Sequence, residues 1–119
     1  MNGNVVAMTN ASRATRYGGV SIASREAFTS AGLCHVGDVL GIVEGDVVEI
    51  GETVEDVAVR VLSRLLSTGG ELVTMIRGDG ADDTVTTTVA RRLRREHHGV
   101  EIVAYDGGQP FWPLILGVE

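Results

Sequence analysis

The 119 residues predict an α/β (α+β) fold, a two-layer sandwich whose mixed sheet has a βαβαβ core and an N-terminal β-hairpin. Three observations carry this. Leu72–Arg77 is an almost unbroken apolar run with Gly70 before it and Gly78-Asp79-Gly80 after it, as in a strand covered on both faces. Amphipathic helical patterns flank it on both sides, and βαβ units with right-handed crossovers are the simplest assembly. Finally, Val36 to Ile50 is apolar on both sides of Glu44-Gly45-Asp46, which reads as a hairpin.

Taken in order, residues 4–15 carry a mild helical pattern through Val5, Met8 and Ala11, with Gly18-Gly19 as its stop. Val20–Ser24 alternates as a half-buried strand would, and a looser segment runs on to Gly32. Within the hairpin, Asp38, Gly41 and Glu49 suggest the wetter face. Thr53-x-x-Asp56 is a capping box with Asp in place of Glu, and Glu52, Glu55 and Asp56 suit the positive end of a helix dipole. Val54, Val57, Ala58, Val61, Leu62 and Leu65 form the core-facing stripe, with Arg60 and Arg64 on the wet side and Gly69-Gly70 as the stop.

A second helix is expected over residues 82–97, held by Val85, Val89, Ala90 and Leu93. Its threonines are poor helix formers, so packing on the sheet must hold it. Gly99 ends it, residues 100–105 read as a strand and 106–110 as a turn. Residues 111–118 read as a last strand, with Pro113 placing it at an edge or bending its start.

Composition excludes several functions. A net charge of −6 disfavours nucleic acid, whose attraction for proteins comes mainly from cations meeting phosphates. All ten basic residues are Arg, so neither a Schiff-base lysine nor a phosphate-loop lysine is available. The single Cys34 cannot form an intramolecular disulfide, and with His35 it supplies too few ligands for a closed zinc site. No stretch approaches the roughly 20 apolar residues of a membrane span. The opening Met1-Asn2-Gly3-Asn4 lacks the features of a signal peptide, and a cytoplasmic protein is expected.

Candidate chemistry is sparse. Gly78-Asp79-Gly80 joins a strand to a helix, but its spacing fits neither phosphate-binding fingerprint, and Asp79, Asp82 and Asp83 would repel a phosphate. Arg91, Arg92, Arg94 and Arg95 suit the negative end of their helix, as do His97 and His98. No serine sits in a nucleophile elbow. If the strands at 47–50, 72–77 and 100–105 are parallel, their exits share one end of the sheet. That end would be acidic through Glu52, Asp79, Asp82, Asp83 and Asp106, and the arginines would lie toward the other.

Asp106-Gly107-Gly108-Gln109-Pro110, followed by an apolar strand ending Gly117-Val118-Glu119, resembles the carboxyl end of the bacterial fatty acid kinase (dihydroxyacetone kinase-like) family. Ile22-Ala23-Ser24-Arg25-Glu26-Ala27, Val36-Gly37-Asp38 leading to Gly41 and Gly45, Glu71-Leu72-Val73-Thr74 and Gly78 agree with it in order. The resemblance spans residues 19–119. The strand and helix plan is also similar to the second domain of DegV-type fatty-acid-binding proteins, partners of that kinase.

The resemblance implies a system in which the kinase phosphorylates the carboxylate of a fatty acid held by the binding protein. The ATP and magnesium site of that family belongs to an amino-terminal helical domain, which nothing in this chain resembles. Residues 1–18 would be the tail of a middle domain and 19–119 the carboxyl-terminal domain, with no catalytic residue, metal site or cofactor of its own. On this reading the domain engages the binding protein through Asp79, Asp106, Gly107, Gly108, Gln109, Pro110, Phe111 and Trp112, where the turn leads into aromatic residues of the type that anchor interfaces. Two alternatives stand beside it. One is a small metal-dependent enzyme using Asp79 and Asp106 for phosphoryl chemistry. The other is a homodimeric module, indicated if Phe111-Trp112 forms an exposed apolar patch.

Overall fold

The computed structural model describes residues 16–78, 81–110 and 112–119, so the helix expected over 4–15, together with Asp79, Gly80 and Phe111, lies outside the description. The expected two-layer α/β sandwich is what forms. Its elements are β1 (Arg16–Ile22), β2 (Ala27–Thr29), β3 (Gly32–Cys34), β4 (Val39–Val43), β5 (Asp46–Gly51), α1 (Val54–Leu66), β6 (Leu72–Arg77), α2 (Asp83–Glu96), β7 (Glu101–Asp106) and β8 (Leu114–Val118). Six strands make one sheet in the order β5-β4-β1-β8-β6-β7, and β2 pairs with β3 separately.

Turn chemistry makes the β4–β5 hairpin as expected. Val43 pairs with Asp46 across Glu44 (φ 54°) and Gly45 (φ 84°), and this double left-handed turn matches the twist of the strands it joins. One face of the hairpin is opposite to the expectation, however. A Cβ on Gly41 would stand 2.5 Å from Val61 Cγ2, and Glu49 meets Arg64 at 2.8 Å, so Gly41 and Glu49 face α1. The missing side chain is what lets the helix approach.

Gly18-Gly19 likewise lies inside β1 and terminates nothing. A Cβ on Gly18 would stand 2.8 Å from Val61 and one on Gly19 would stand 2.6 Å from the Trp112 ring, so close packing on both sheet faces requires both glycines.

Thr53 caps α1 by accepting the Asp56 amide at 3.1 Å, and Asp82 caps α2 by accepting from Thr84 (3.0 Å) and Val85 (3.3 Å). Both helices lie on one face of the sheet. Val57, Ala58, Val61, Leu62 and Leu65 of α1 meet Val20, Val73, Met75, Leu114, Leu116 and Val118 of the sheet, with Val89 and Leu93 of α2 closing the core.

The other face carries Tyr17, Ile42, Thr74, Ile76, Ile115 and Gly117, half-buried or exposed. Among the described residues β6 is therefore an interior strand covered on one face, not two, because Leu72, Thr74 and Ile76 alternate with the buried Val73 and Met75. β8 is not an edge strand either: it pairs with both β1 and β6, and Pro113 precedes its ladder.

Pairing directions place β1, β5, β6 and β7 one way and β4 and β8 the other. The exits of β5, β6 and β7 do share an end. Yet β5 closes the far margin with β4, β1 and β8 between it and β6, so the three strands are not a contiguous parallel core. The segment read as loose before Gly32 contains β2 and leads into β3, where Phe28 pairs with Leu33 and is 87 % exposed.

Candidate functional site

Where β7 leaves the sheet and the chain returns into β8, glycines and one amide side chain build a tight corner. The amides of Gly107 (2.7 Å) and Gly108 (3.0 Å) both donate to the Arg77 carbonyl, and the Gly78 amide donates to the Pro113 carbonyl at 2.9 Å. Gln109 Nε2 donates to the carbonyls of Ile76 (3.1 Å) and Trp112 (3.0 Å), tying the turn to β6 and to its own exit. A Cβ on Gly78 would stand 2.2 Å from the Trp112 carbonyl, and one on Gly107 would stand 2.2 Å from Gln109 Oε1. Gly108 takes φ 66°, so backbone contact and a left-handed residue both demand glycine here.

The corner leaves Pro110 exposed and Trp112 half-buried. The indole lies across Gly19 on the open sheet face, where it walls a shallow cavity of about 250 Å³ with Tyr17, Ile42 and Ile115. Of the residues expected to engage a partner, the structure brings Asp106, Gly107, Gly108, Gln109, Pro110 and Trp112 to one place. Gly107, Gly108 and Gln109 hold its shape, while Pro110 and Trp112 supply surface. Asp79 and Phe111 lie outside the described residues.

The electrostatics at this end differ from a plain acidic rim. Arg77, only 13 % exposed at its side chain, meets Asp106 through Nε at 3.1 Å and Asp83 through Nη2 at 3.3 Å. Its Nη1 donates to Thr86 Oγ1 at 3.0 Å, and that hydroxyl donates to the Asp83 carbonyl at 3.1 Å. Asp82 caps α2, and Glu52 sits beyond β5 at the far margin of the sheet. Sequence pattern showed the carboxylates but could not show that the last residue of β6 turns its guanidinium among them. Nor are the arginines segregated: Arg64 meets Glu49, and Arg92 meets Asp56, whose carboxyl the Arg92 hydrogen bond holds below its ordinary range.

Beside Arg77 a cleft of about 580 Å³ opens between α2 and β7. Met75, Ile102 and Ala104 form its floor, Thr86 and Ala90 its wall, and Arg91 and Arg94 its rim. The helix terminus alone suggested a solvated arginine cluster. The cleft depends on β7 being the last strand, which the sequence did not reveal.

Two other groupings among the described residues do not assemble a catalytic or metal-binding set. Between the helices, His97 Nε2 lies 3.3 Å from Ser63 Oγ and Glu96 Oε2 lies 3.4 Å from that same oxygen. The carboxylate thus meets the serine rather than the second imidazole nitrogen, and no base is oriented as in a hydrolytic triad. Cys34 is buried and His35 faces Glu26 (3.6 Å) and Asp38 (3.7 Å) at the surface. Among the described residues no three of His, Cys, Asp or Glu converge as metal ligands, and no helix is long and apolar enough to cross a membrane.

The family model for the C-terminal domain of FakA-like fatty acid kinase subunits matches residues 1–119. The chain belongs to this family. Curated relatives of the FakA-like domain include staphylococcal proteins that are named only as uncharacterized. One from Staphylococcus epidermidis is 36 % identical over 59 residues, half of this chain and 11 % of the relative. One from Staphylococcus haemolyticus is 25 % identical over 112 residues, covering 94 % of this chain and 20 % of the relative. One from Staphylococcus aureus strain USA300 is 26 % identical over 112 residues, 94 % of this chain and 18 % of the relative. The FakA-like domain therefore spans a fifth or less of the length of these relatives.

Proposed function

We propose that this domain is the docking domain of a fatty acid kinase. It engages a DegV-type fatty-acid-binding protein so that a separate amino-terminal domain, with ATP and magnesium, phosphorylates the bound acyl carboxylate in the cytoplasm. Residues 1–18 belong to the tail of a middle domain on this reading, and the domain performs no phosphoryl step itself.

One observation carries the docking role: the described residues of the corner, Asp106–Pro110 with Trp112 and Pro113, are held by main-chain bonds from Gly78, Gly107 and Gly108 and by two from Gln109, yet leave surface supplied by Pro110 and Trp112. A loop fixed this firmly loses little freedom on binding, which favours recognition. The absence of lysine supports a role without catalysis, as does the engagement of Asp83 and Asp106 by Arg77.

Size-exclusion chromatography of the purified domain mixed with a DegV-type fatty-acid-binding protein tests this reading. Co-elution is expected with both proteins at about 50 μM, a concentration that populates even a micromolar complex. Separate elution there overturns the docking role. Consumption of ATP by the domain alone would restore a catalytic one.

A further inference from the structure

We propose that the free edge of β7 and the cleft beside it form a second docking site, which takes an extended acidic segment of a partner protein as an added strand. The site is independent of whatever the Trp112 corner engages.

Two observations meet here. The amides of Glu101 and Gly107 donate to the carbonyls of Glu71 (2.8 Å) and Arg77 (2.7 Å), so the odd-numbered residues of β7 turn their main-chain groups to β6. By the alternation of a parallel ladder, Ile102, Ala104 and Asp106 turn their N–H and C=O groups away from it. No strand among the described residues pairs with that side. The side chains of Ile102 and Ala104 meanwhile floor the cleft. A strand added to this edge would send every second side chain toward the cleft, and the residues between toward Val103 and Tyr105.

Charge decides the occupant. Arg91 and Arg94 are exposed on the cleft rim and make no ion pair among the described residues, while Asp83, which also lines the cleft, and Asp106 are both matched by Arg77, and Glu101 lies on the opposite face of β7. Glutamates four residues apart on the added strand would face the cleft beside the two arginines, with one apolar side chain midway between them on the same face, over Ala90 and Ala104. A second copy of this chain fits poorly, since pairing β7 with itself brings the two Arg91 and Arg94 rims together. An enclosed small molecule fits poorly as well, because the cleft is open along its length and such ligands are mostly buried in theirs.

The test uses the full chain, isotopically labelled, and a fluorescent peptide with Glu-Thr-Leu-Thr-Glu at its centre, whose palindrome suits either strand direction. The control is the same peptide with Lys for Glu. The Glu peptide should bind at least about tenfold more tightly at low salt, a preference that Arg91→Glu with Arg94→Glu should reverse. Saturation should slow amide exchange at Ile102 and Ala104 by about tenfold or more, as new ladder bonds do. Ala104→Pro, which removes an outward N–H without touching the β6 ladder, should weaken binding. Equal or absent binding of both peptides up to about 1 mM overturns the proposal. Glu-peptide binding that leaves the Ile102 and Ala104 amides unprotected also overturns it, since that is an anion site and not strand addition.

Discussion

The indole of Trp112 lies so close to Gly19 that a Cβ there would stand 2.6 Å from Cζ3 and 2.7 Å from Cε3. Through this contact the corner that follows β7 is fastened to the centre of the open sheet face. Trp112 is the only tryptophan, so its fluorescence reports the fastening directly.

Gly19→Val should displace the indole. The expected outcome is a red-shifted emission and a loss of about 1–3 kcal/mol, the usual cost of overpacking. Emission and a denaturant melt on the same samples check both, and an unshifted spectrum would mean the ring packs elsewhere.

Gln109→Ala should loosen the corner from the other side, because the carbonyls of Ile76 and Trp112 each lose a donor. About 1–3 kcal/mol of stability should go if those carbonyls find no water. Exchange of the Gly107 and Gly108 amides, both bonded to Arg77, should quicken while that of Val73 and Met75 does not.

Thr53→Ala removes the acceptor for the Asp56 amide and should cost about 1 kcal/mol. Thr53→Asp, which keeps an acceptor, should restore most of the loss in the same urea melt.

Asp56 carries the pH dependence. Its folded carboxyl is held below the ordinary range, first by the hydrogen bond from Arg92 against some desolvation, then by the guanidinium charge. The unfolded chain therefore binds this proton more readily than the folded one. The contribution is complete above the ordinary carboxylate value of about 4 and disappears as pH falls through the lower folded value. Melts between pH 7 and pH 2 should show Asp56→Asn less stable than the parent near neutrality. The gap should narrow in acid and shrink with added salt, because the pair is exposed.

Local rules made most of this fold legible. The β4–β5 turn, the Thr53 cap, the α1 stripe and Gly99 (φ 84°) after α2 all stand where sequence reasoning put them. Strand order was not legible, because β8 inserts between β1 and β6 and no local pattern encodes that choice. Three further misreadings follow from it. Of the edge and the bent start that Pro113 suggested, the edge fails for a strand that is central, Gly18-Gly19 read as a stop, and Gly41 with Glu49 read as a wet face. In each glycine case, the signal was a close approach by Val61 or Trp112 from far along the chain.

At the site, the sequence supplied the Gly-Gly-Gln-Pro corner and its tryptophan. It could not show that Arg77 neutralises Asp106, nor that the exposed face of α2 borders a free strand edge, since both are products of the β6–β7 pairing.

We propose that the domain grips an acyl-carrying partner through its corner, and association kinetics on an immobilised DegV-type fatty-acid-binding protein probe that claim. The domain should bind saturably, and Trp112→Ala should speed dissociation about tenfold or more while changing the association rate little, as loss of a packed anchor does. Binding that Trp112→Ala and Pro110→Ala both leave unchanged, or no binding at all, would contradict the claim.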